Sequence, residues 1–302
     1  MQRHDSDLTN SGAVTTVDRS EARRGDWMVL LSAVCFSTMP IFGSYAYSAG
    51  VGVVPLLAWR FLLAVAMLLV ILAASGKLAR LPLGKVAGFL GMGAGYLVMS
   101  YMYFHALKLA PISTLTLLFY TYPAIVTVLA AAVLRERITR RKALALGLAL
   151  GGCLIILRPS ELGDGRGAVM ALAASAMYSV FMLVGTRLTR GVDAVLATAW
   201  ILSVSALGYL GAAALQGELI PPRTLSAWGP ILGIAAVATV VADASFFWAL
   251  PRTGASRAAI LSTLEPVCTL LLSALLLGEA IPAMRFAGGG LILASLVLIH
   301  WD

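Results

Sequence analysis

Two stretches of this chain read YFHALKLAPISTLTLLFYTYPAIVTVLAAAVLRERITRRKALALGLAL (residues 103–150) and FFWALPRTGASRAAILSTLEPVCTLLLSALLLGEAIPAMRFAGGGLIL (residues 246–293), and they align without a gap. The identical pairs include Pro123 with Pro266 and Glu136 with Glu279. Proline and glutamate are infrequent in sequence this rich in Ala and Leu, so chance does not account for both. The chain therefore carries an internal repeat, and its two halves are expected to share one design.

The composition indicates that these two halves lie in a lipid bilayer. Of 302 residues, 60% are hydrophobic and only 12% are charged, with a mean hydropathy of +0.91, whereas soluble domains carry about 25% charged residues. The net charge of +8 does not indicate nucleic-acid binding, because the basic residues cluster between apolar runs. All three cysteines fall inside apolar runs, which predicts neither a disulfide framework nor a metal site.

The hydropathy pattern predicts an all-α membrane protein. Residues 1–26 are polar and lack apolar periodicity, which predicts a disordered cytoplasmic tail. Ten apolar segments follow, most of them near the length of about 20 residues that spans a bilayer. The predicted transmembrane helices are 27–46, 54–74, 84–107, 112–134, 142–158, 167–188, 194–215, 227–250, 255–277 and 283–301.

The two repeats, 27–158 and 167–301, then hold five helices each. Because five is odd, the repeats must cross the membrane in opposite directions, as two inverted five-helix repeats around a central cavity. Inverted repeats of this kind give alternating access to a site near the membrane midplane. With the N-terminus inside, sixteen Lys and Arg residues face the cytoplasm and five face outward, which predicts that both termini are cytoplasmic.

Several motifs resemble the EamA-type drug/metabolite transporter superfamily. They are AVCFS (residues 33–37), LAWRFLLA (residues 57–64) and TLEPVCTLLLSALLLGEAIPAMRFAGGGLILASLVL (residues 263–298). The resemblance covers nearly all of the chain after the tail, but the first repeat departs from the Glu-Pro pattern and has Tyr122-Pro123 instead. It implies a carrier of the bacterial inner membrane that exports amino acids or related metabolites, and it leaves the substrate open. The aromatic residues of the third and fourth helices favour the aromatic amino acid and methyl viologen exporters within the superfamily.

Helical spacing places Tyr96, Ser100 and Tyr103 on one stripe of the third helix. Asp243, the repeat counterpart of Ser100, lies on the matching stripe of the eighth helix. A carboxylate inside an apolar span costs several kcal/mol unless it meets water or a partner, so we expect Asp243 to bind a substrate ammonium group, to carry a proton or to pair with a neighbouring helix. The tyrosines are expected to line the cavity, although an interfacial belt is an alternative for Tyr103.

Glu265 is the second carboxylate within a predicted span, and Pro266 follows it at once. A proline disrupts helical hydrogen bonding, so Glu265 is expected either to meet substrate beside a hinge or to satisfy the freed backbone. Its repeat counterpart is Tyr122, which precedes Pro123. The predicted substrate-binding residues are completed by Tyr120 and Tyr178, and the predicted hinges are Pro40, Pro123 and Pro266.

Two further features have structural alternatives. Arg60 interrupts the second helix, but its repeat counterpart is Ile201, so it lies outside the symmetric design and either attracts a carboxylate, snorkels or pairs with a helix end. The spacings Gly91-x-x-x-Gly95 and Gly147-x-x-x-Gly151 and the run Gly288-Gly289-Gly290 predict close helix packing.

The sequence therefore predicts a secondary transporter that exports small amphipathic metabolites, amino acids and their aromatic members included, by alternating access. A monomer is sufficient for the cavity, protons are a candidate coupling ion through Asp243 or Glu265, and no metal, cofactor or nucleotide-binding loop is expected. Export of quaternary ammonium and other cations is the main alternative, and a phosphate-ester or nucleotide-sugar carrier is a weaker one because only Arg60 would offer a buried cation. An enzyme is not expected, because the three histidines lie in the tail or near span ends.

Overall fold

The computed structural model describes residues 19–106, 109, 118–157, 165–222, 224–278 and 283–300. Within these ranges the regular structure is entirely helical. The α-helices are α1 Arg19–Ser37, α2 Met39–Ser48, α3 Val53–Ala74, α4 Leu83–Ala106, α5 Tyr122–Leu129, α6 Arg140–Leu157, α7 Gly165–Leu188, α8 Ala194–Leu215, α9 Leu225–Ala235, α10 Ala242–Thr253, α11 Ala255–Leu261, α12 Leu264–Leu277 and α13 Ala283–His300. Two π-helical stretches, Ala130–Leu134 and Ala236–Val241, continue α5 and join α9 to α10.

Eight helical stretches in the described part of the chain are long and apolar enough to cross a membrane. They are Ser20–Ser48, Val53–Ala74, Leu83–Ala106, Gly165–Leu188, Ala194–Leu215, Ser226–Thr253, Ala255–Leu277 and Ala283–His300. The predicted spans 112–134 and 142–158 are described only from residue 118 and up to residue 157. The all-helical membrane fold is thus confirmed, whereas the count of ten spans stays a prediction.

Helix α1 begins at Arg19, within the segment 1–26 that was expected to be a disordered tail. Asp26 holds these first turns in place: its side chain is 1% exposed and accepts two hydrogen bonds from Arg257, at 2.9 and 2.7 Å. His300 Nδ1 lies 3.2 Å from the same carboxylate. The first helix, α11 and α13 are therefore joined at one end of the bundle. Residues 1–18 lie outside the described ranges.

Glu136 forms a second link between distant parts of the chain. Its Oε1 accepts a hydrogen bond of 3.0 Å from the backbone N–H of Ala255, the first residue of α11, and its Oε2 lies 3.6 Å from Lys142 Nζ. A carboxylate at a helix N-terminus satisfies an orphan donor and opposes the positive end of the helix dipole. Glu136 thus links two parts of the chain, while Glu279, its repeat counterpart, lies outside the described residues.

Asp193 begins α8 by a local hydrogen-bonding pattern. Its Oδ1 accepts from the backbone N–H groups of Val195 and Leu196, at 2.9 and 3.3 Å, and its Oδ2 lies 2.9 Å from Lys77 Nζ. Partial burial raises the pKa of Asp193, but Lys77 and the two backbone donors lower it more, so the pKa of this carboxyl lies below its ordinary value.

Prolines divide three of the helical segments. Each of Pro40, Pro123 and Pro266 lies within the first three residues of the helix that follows a break. Proline lacks the N–H of a helical residue and its ring clashes with the preceding turn, so a continuous α-helix is disfavoured there. At each break a threonine hydroxyl donates to the carbonyl three residues earlier: Thr38 to Cys35 at 2.7 Å, Thr121 to Leu118 at 2.7 Å and Thr263 to Ile260 at 2.6 Å.

Glycines permit close helix contact at Gly288, as the glycine run predicted, but not at Gly147 or Gly151. No described atom lies within 4 Å of a Cβ built at Gly147 or Gly151, whereas one built at Gly152 would lie 2.5 Å from the Gly288 carbonyl oxygen. Helix α6 thus approaches α13 backbone to backbone. The small-residue spacing identified the correct helix but missed the contacting face, because that face depends on where the partner helix lies.

Candidate functional site

Arg60 is buried in the membrane interior of the protein. It lies two turns into α3 and its residue surface is 1% exposed. Its Nε donates to Thr239 Oγ1 at 2.8 Å, its Nη1 lies 3.5 Å from Met39 Sδ, and the guanidinium carbon lies 4.8 Å from the centre of the Phe61 ring. Nη2 has no hydrogen-bond partner among the described residues. Burying a cation this deeply is costly unless it is paired. The unpaired nitrogen therefore makes Arg60 a candidate ligand-binding residue.

Asp243 carries the opposite charge in the same region. It is the second residue of α10, directly after the π-helical stretch that contains Thr239, and it is 3% exposed. Arg60 is the cation that acts on it electrostatically. Even so, Oδ2 of Asp243 accepts no hydrogen bond from any residue that the structure describes. π-Helical turns often occur at functional sites, and here one directs Thr239 towards the arginine.

Tyr96 lies between these charges and the aromatic interior. The hydroxyl group interacts with Arg60 and also experiences the charge of Asp243. Its ring is stacked on Phe181 with centres 5.3 Å apart and meets the edge of Phe61 at 5.8 Å. The polar end of the tyrosine thus faces the charged pair, and its ring continues into an apolar wall.

Ser100 is buried on the same stripe, but it is already paired. Its Oγ lies 2.8 Å from the hydroxyl oxygen of Tyr209, which also donates to the Leu97 carbonyl at 2.9 Å. The Tyr209 ring is stacked on Phe61, with centres 5.6 Å apart. Ser100 therefore faces the protein interior, as expected. Its hydrogen bond with Tyr209 connects α4 with α8.

Glu265 forms a second polar centre with two of the predicted tyrosines. It is half-buried at the start of α12, beside the Pro266 break, and it interacts with Tyr120. Tyr122, which is 2% exposed, interacts with Glu265 and with Ser262, one turn before Glu265. The two proline breaks therefore face each other, and Tyr120 and Tyr122 connect them.

A continuous series of rings joins the two centres. Tyr178 lies 4.9 Å from Tyr122 and 6.0 Å from Phe181 between ring centres, and it experiences the charges of both Asp243 and Glu265. Tyr103 joins the series through Phe119, at 5.0 Å. Six of the eight residues predicted for the substrate site are thus joined by ring contacts or hydrogen bonds, and the other two, Asp243 and Glu265, act on these tyrosines electrostatically.

The predicted site residues did not include Arg60 or the phenylalanines at positions 61, 119 and 181, which the structure places beside them. Arg60 was set aside because its repeat counterpart is apolar, although a charge inside an apolar run was itself a sufficient signal. The phenylalanines gave no signal, because an aromatic residue in a membrane helix is ordinary packing until its neighbours are known.

A cavity of about 450 Å³ lies between α4 and α7. Its lining is apolar and includes Gly91, Gly95, Met92, Val180 and Phe181. Gly91 and Gly95 leave this space open, since no described atom lies within 4 Å of a Cβ built at either, and among the lining residues Phe181 is the one stacked on Tyr96 of the charged site.

Comparison with known proteins identifies the family and the fold of the chain. The chain is 28% identical over 287 residues to the uncharacterized transporter YcbK of Bacillus subtilis (strain 168), covering 89% of this chain and 90% of that protein. It is 27% identical over 189 residues to protein RarD of Streptomyces exfoliatus, covering 61% of this chain and 58% of that one. A solved crystal structure is similar with a TM-score of 0.80 at 20% identity, over 91% of this chain and 97% of its own, which shows a shared fold. The EamA-like transporter family matches residues 23–158 and again residues 165–301. The chain is therefore a member of the EamA-like transporter family.

Proposed function

We propose that this transporter exports small amphipathic metabolites, amino acids and their aromatic members included, across the bacterial cytoplasmic membrane by alternating access. Ten spans form two inverted five-helix repeats, 27–158 and 167–301, with both termini in the cytoplasm. The observation that carries the proposal is the buried network in which Arg60, Asp243 and Glu265 meet the tyrosine and phenylalanine rings. Charges inside an apolar bundle that lack full pairing are features of a substrate pathway.

The repeat architecture is supported by the way the helices pair. The second helix of one half packs along the second of the other, α3 on α8, and the fifth packs along the fifth, α6 on α13. The first helix α1 packs on α10 of the other half, and α7 packs on α4. Exchanging the two halves turns each of these pairings into itself or into another pairing that is present, as a twofold relation requires.

The chemistry of the network favours a ligand with a ring and with charges of both signs. A cation exporter would use the two carboxylates and the tyrosine rings, but Arg60 would repel a cationic substrate. A phosphate-ester carrier would need several cations, and Arg60 is the only buried cation of the described site. An amino acid satisfies both signs of charge, and its side chain can lie against the rings.

Reconstitution tests the proposal directly. Purified protein in liposomes preloaded with labelled phenylalanine, leucine and a wider panel of amphipathic metabolites should release some of them faster than protein-free liposomes. Imposing a pH gradient in either direction then separates proton coupling from simple gradient-driven flux. A complete absence of protein-dependent flux over the panel would refute the proposed function.

A further inference from the structure

Two buried ionic atoms near the centre of the network lack partners in the described parts of the chain: Nη2 of Arg60 and Oδ2 of Asp243. Both residues are at least 97% buried. The other charged side chains with such an atom, Arg252 and Arg285, are only half-buried and lie near helix ends. An unsatisfied buried charge costs more than an ordinary unmade hydrogen bond, so a pair of them in one place points to a ligand.

Thr239 brings the two groups into one region of the structure. Thr239 lies four positions before Asp243, across the junction of the π-helical stretch and α10, and its Oγ1 lies 2.8 Å from Arg60 Nε. No N–O contact within 4.0 Å joins the arginine to the aspartate in the described structure. The two groups are therefore not joined as a direct ion pair, and a compact ligand with charges of both signs can satisfy each of them by a charge-assisted hydrogen bond of about 2.7–2.9 Å.

We propose that Arg60 and Asp243 bind one zwitterionic α-amino acid between them, with the carboxylate on the Arg60 guanidinium and the ammonium group on the Asp243 carboxylate. This inference deepens the proposed function and depends on it. It specifies that each charge of the substrate is bound by one residue: the carboxylate by Arg60 and the ammonium group by Asp243.

The neighbouring rings determine where the substrate side chain lies. Phe61 and Tyr96 border the charged groups, and Phe181 continues the wall beyond Tyr96. A substrate held by its two charges therefore directs its side chain along these rings, which favours large apolar and aromatic side chains. Thr239 and Met39 engage two nitrogens of Arg60, and the Tyr96 hydroxyl also interacts with this residue, so the guanidinium is held in place while Nη2 makes no hydrogen bond within the described residues.

The test compares three ligands that share one ring: phenylalanine, phenethylamine, which lacks the carboxylate, and 3-phenylpropionate, which lacks the ammonium group. Purified wild-type protein should bind phenylalanine at least about tenfold more tightly than either analogue, because each missing charge leaves a buried partner unpaired. Equal affinity for phenethylamine or 3-phenylpropionate would overturn the inference while leaving the exporter proposal intact. If phenylalanine is not released but other metabolites are, the inference alone fails; if nothing is released, the proposed function fails with it.

Variants assign each charge to its residue. Asp243→Asn should weaken phenylalanine binding to the purified protein at least about tenfold and leave binding of 3-phenylpropionate equal or stronger. Arg60→Met should produce the opposite preference, with phenethylamine favoured over phenylalanine. Arg252→Met, which removes an arginine that lies over the Trp248 ring outside the site, is the matched control and should keep the wild-type preference. A uniform loss of affinity for all three ligands in both site variants would refute the assignment, and the wild-type comparison decides the inference even if a variant fails to fold.

Discussion

The contact between α6 and α13 makes a sharp prediction about two neighbouring glycines. Gly152 faces the backbone of Gly288, and a Cβ at position 152 would lie 2.5 Å from the Gly288 oxygen and 2.7 Å from Ile292 Cγ1. Gly151, one residue earlier in the same helix, has no described atom within 4 Å of its Cβ position. Gly152→Ala and Gly151→Ala therefore add the same methyl group to the same helix in opposite surroundings.

The magnitude follows from the geometry. Ordinary contacts of a Cβ atom begin near 3.4 Å, so Gly152→Ala forces the two helices apart or distorts the side chain of Ile292. Overpacking of this kind costs about 1–3 kcal/mol. Both variants gain the same helix propensity of about 0.5–1 kcal/mol, and that gain cancels when the two are compared. We therefore expect Gly152→Ala to be less stable than Gly151→Ala by about 1–3 kcal/mol.

The free energy of unfolding can be measured by replacing a mild detergent stepwise with SDS and following tryptophan fluorescence. Gly288→Ala should behave like Gly152→Ala, because its Cβ would lie 2.7 Å from the Gly152 oxygen. If Gly152→Ala and Gly151→Ala unfold at the same SDS fraction, the backbone contact between α6 and α13 is not formed as described.

Three further predictions concern the ion pair of Asp26, the N-terminus of α8 at Asp193, and the ring of Tyr178. Asp26→Asn should lower the free energy of unfolding by about 1.5–3 kcal/mol, because it removes the charge from two hydrogen bonds in a buried pair; an unchanged SDS midpoint would contradict this. Asp193→Ala should cost about 1 kcal/mol at neutral pH. Because the folded-state pKa of Asp193 is depressed, this stability is present above its ordinary pKa and is lost as the pH falls through the folded value, so the difference from wild type should shrink below about pH 4; a constant difference across that range would oppose the reasoning. Tyr178→Phe should retain most of the affinity for phenylalanine, whereas Tyr178→Ala should lose about tenfold, because the ring joins the two polar centres; equal affinities measured by ligand titration would exclude Tyr178 from the site.

The all-helical membrane fold could be predicted from the sequence, because the thickness of the bilayer sets the length of each apolar segment. The bounds of the helices were less accessible where a tertiary contact decides them. Arg19 to Asp26 form helix because Asp26 pairs with Arg257, 231 residues away in the chain, and no local pattern announces such a partner.

The candidate site was partly accessible for a similar reason. A stripe of polar residues on a helix in lipid points inward, and this reasoning located Tyr96, Ser100 and Asp243. It did not distinguish a polar group that is already paired, such as Ser100 with Tyr209, from one that is not, such as Asp243. The symmetry of the repeats also gave no reason to place Arg60 beside Asp243, because Ile201, the repeat counterpart of Arg60, is apolar.

The charges of the site are divided between the halves of the chain, since Arg60 belongs to α3 and Asp243 to α10. Neither half holds both, so a fragment containing one half would lack the complete site. A molecule bound to both residues acts as a removable cross-link, which draws the halves together on arrival and releases them on departure. The loaded carrier would then hold its two halves together more tightly than the empty one, in which the mutual attraction of the two opposed charges acts between the halves at this point.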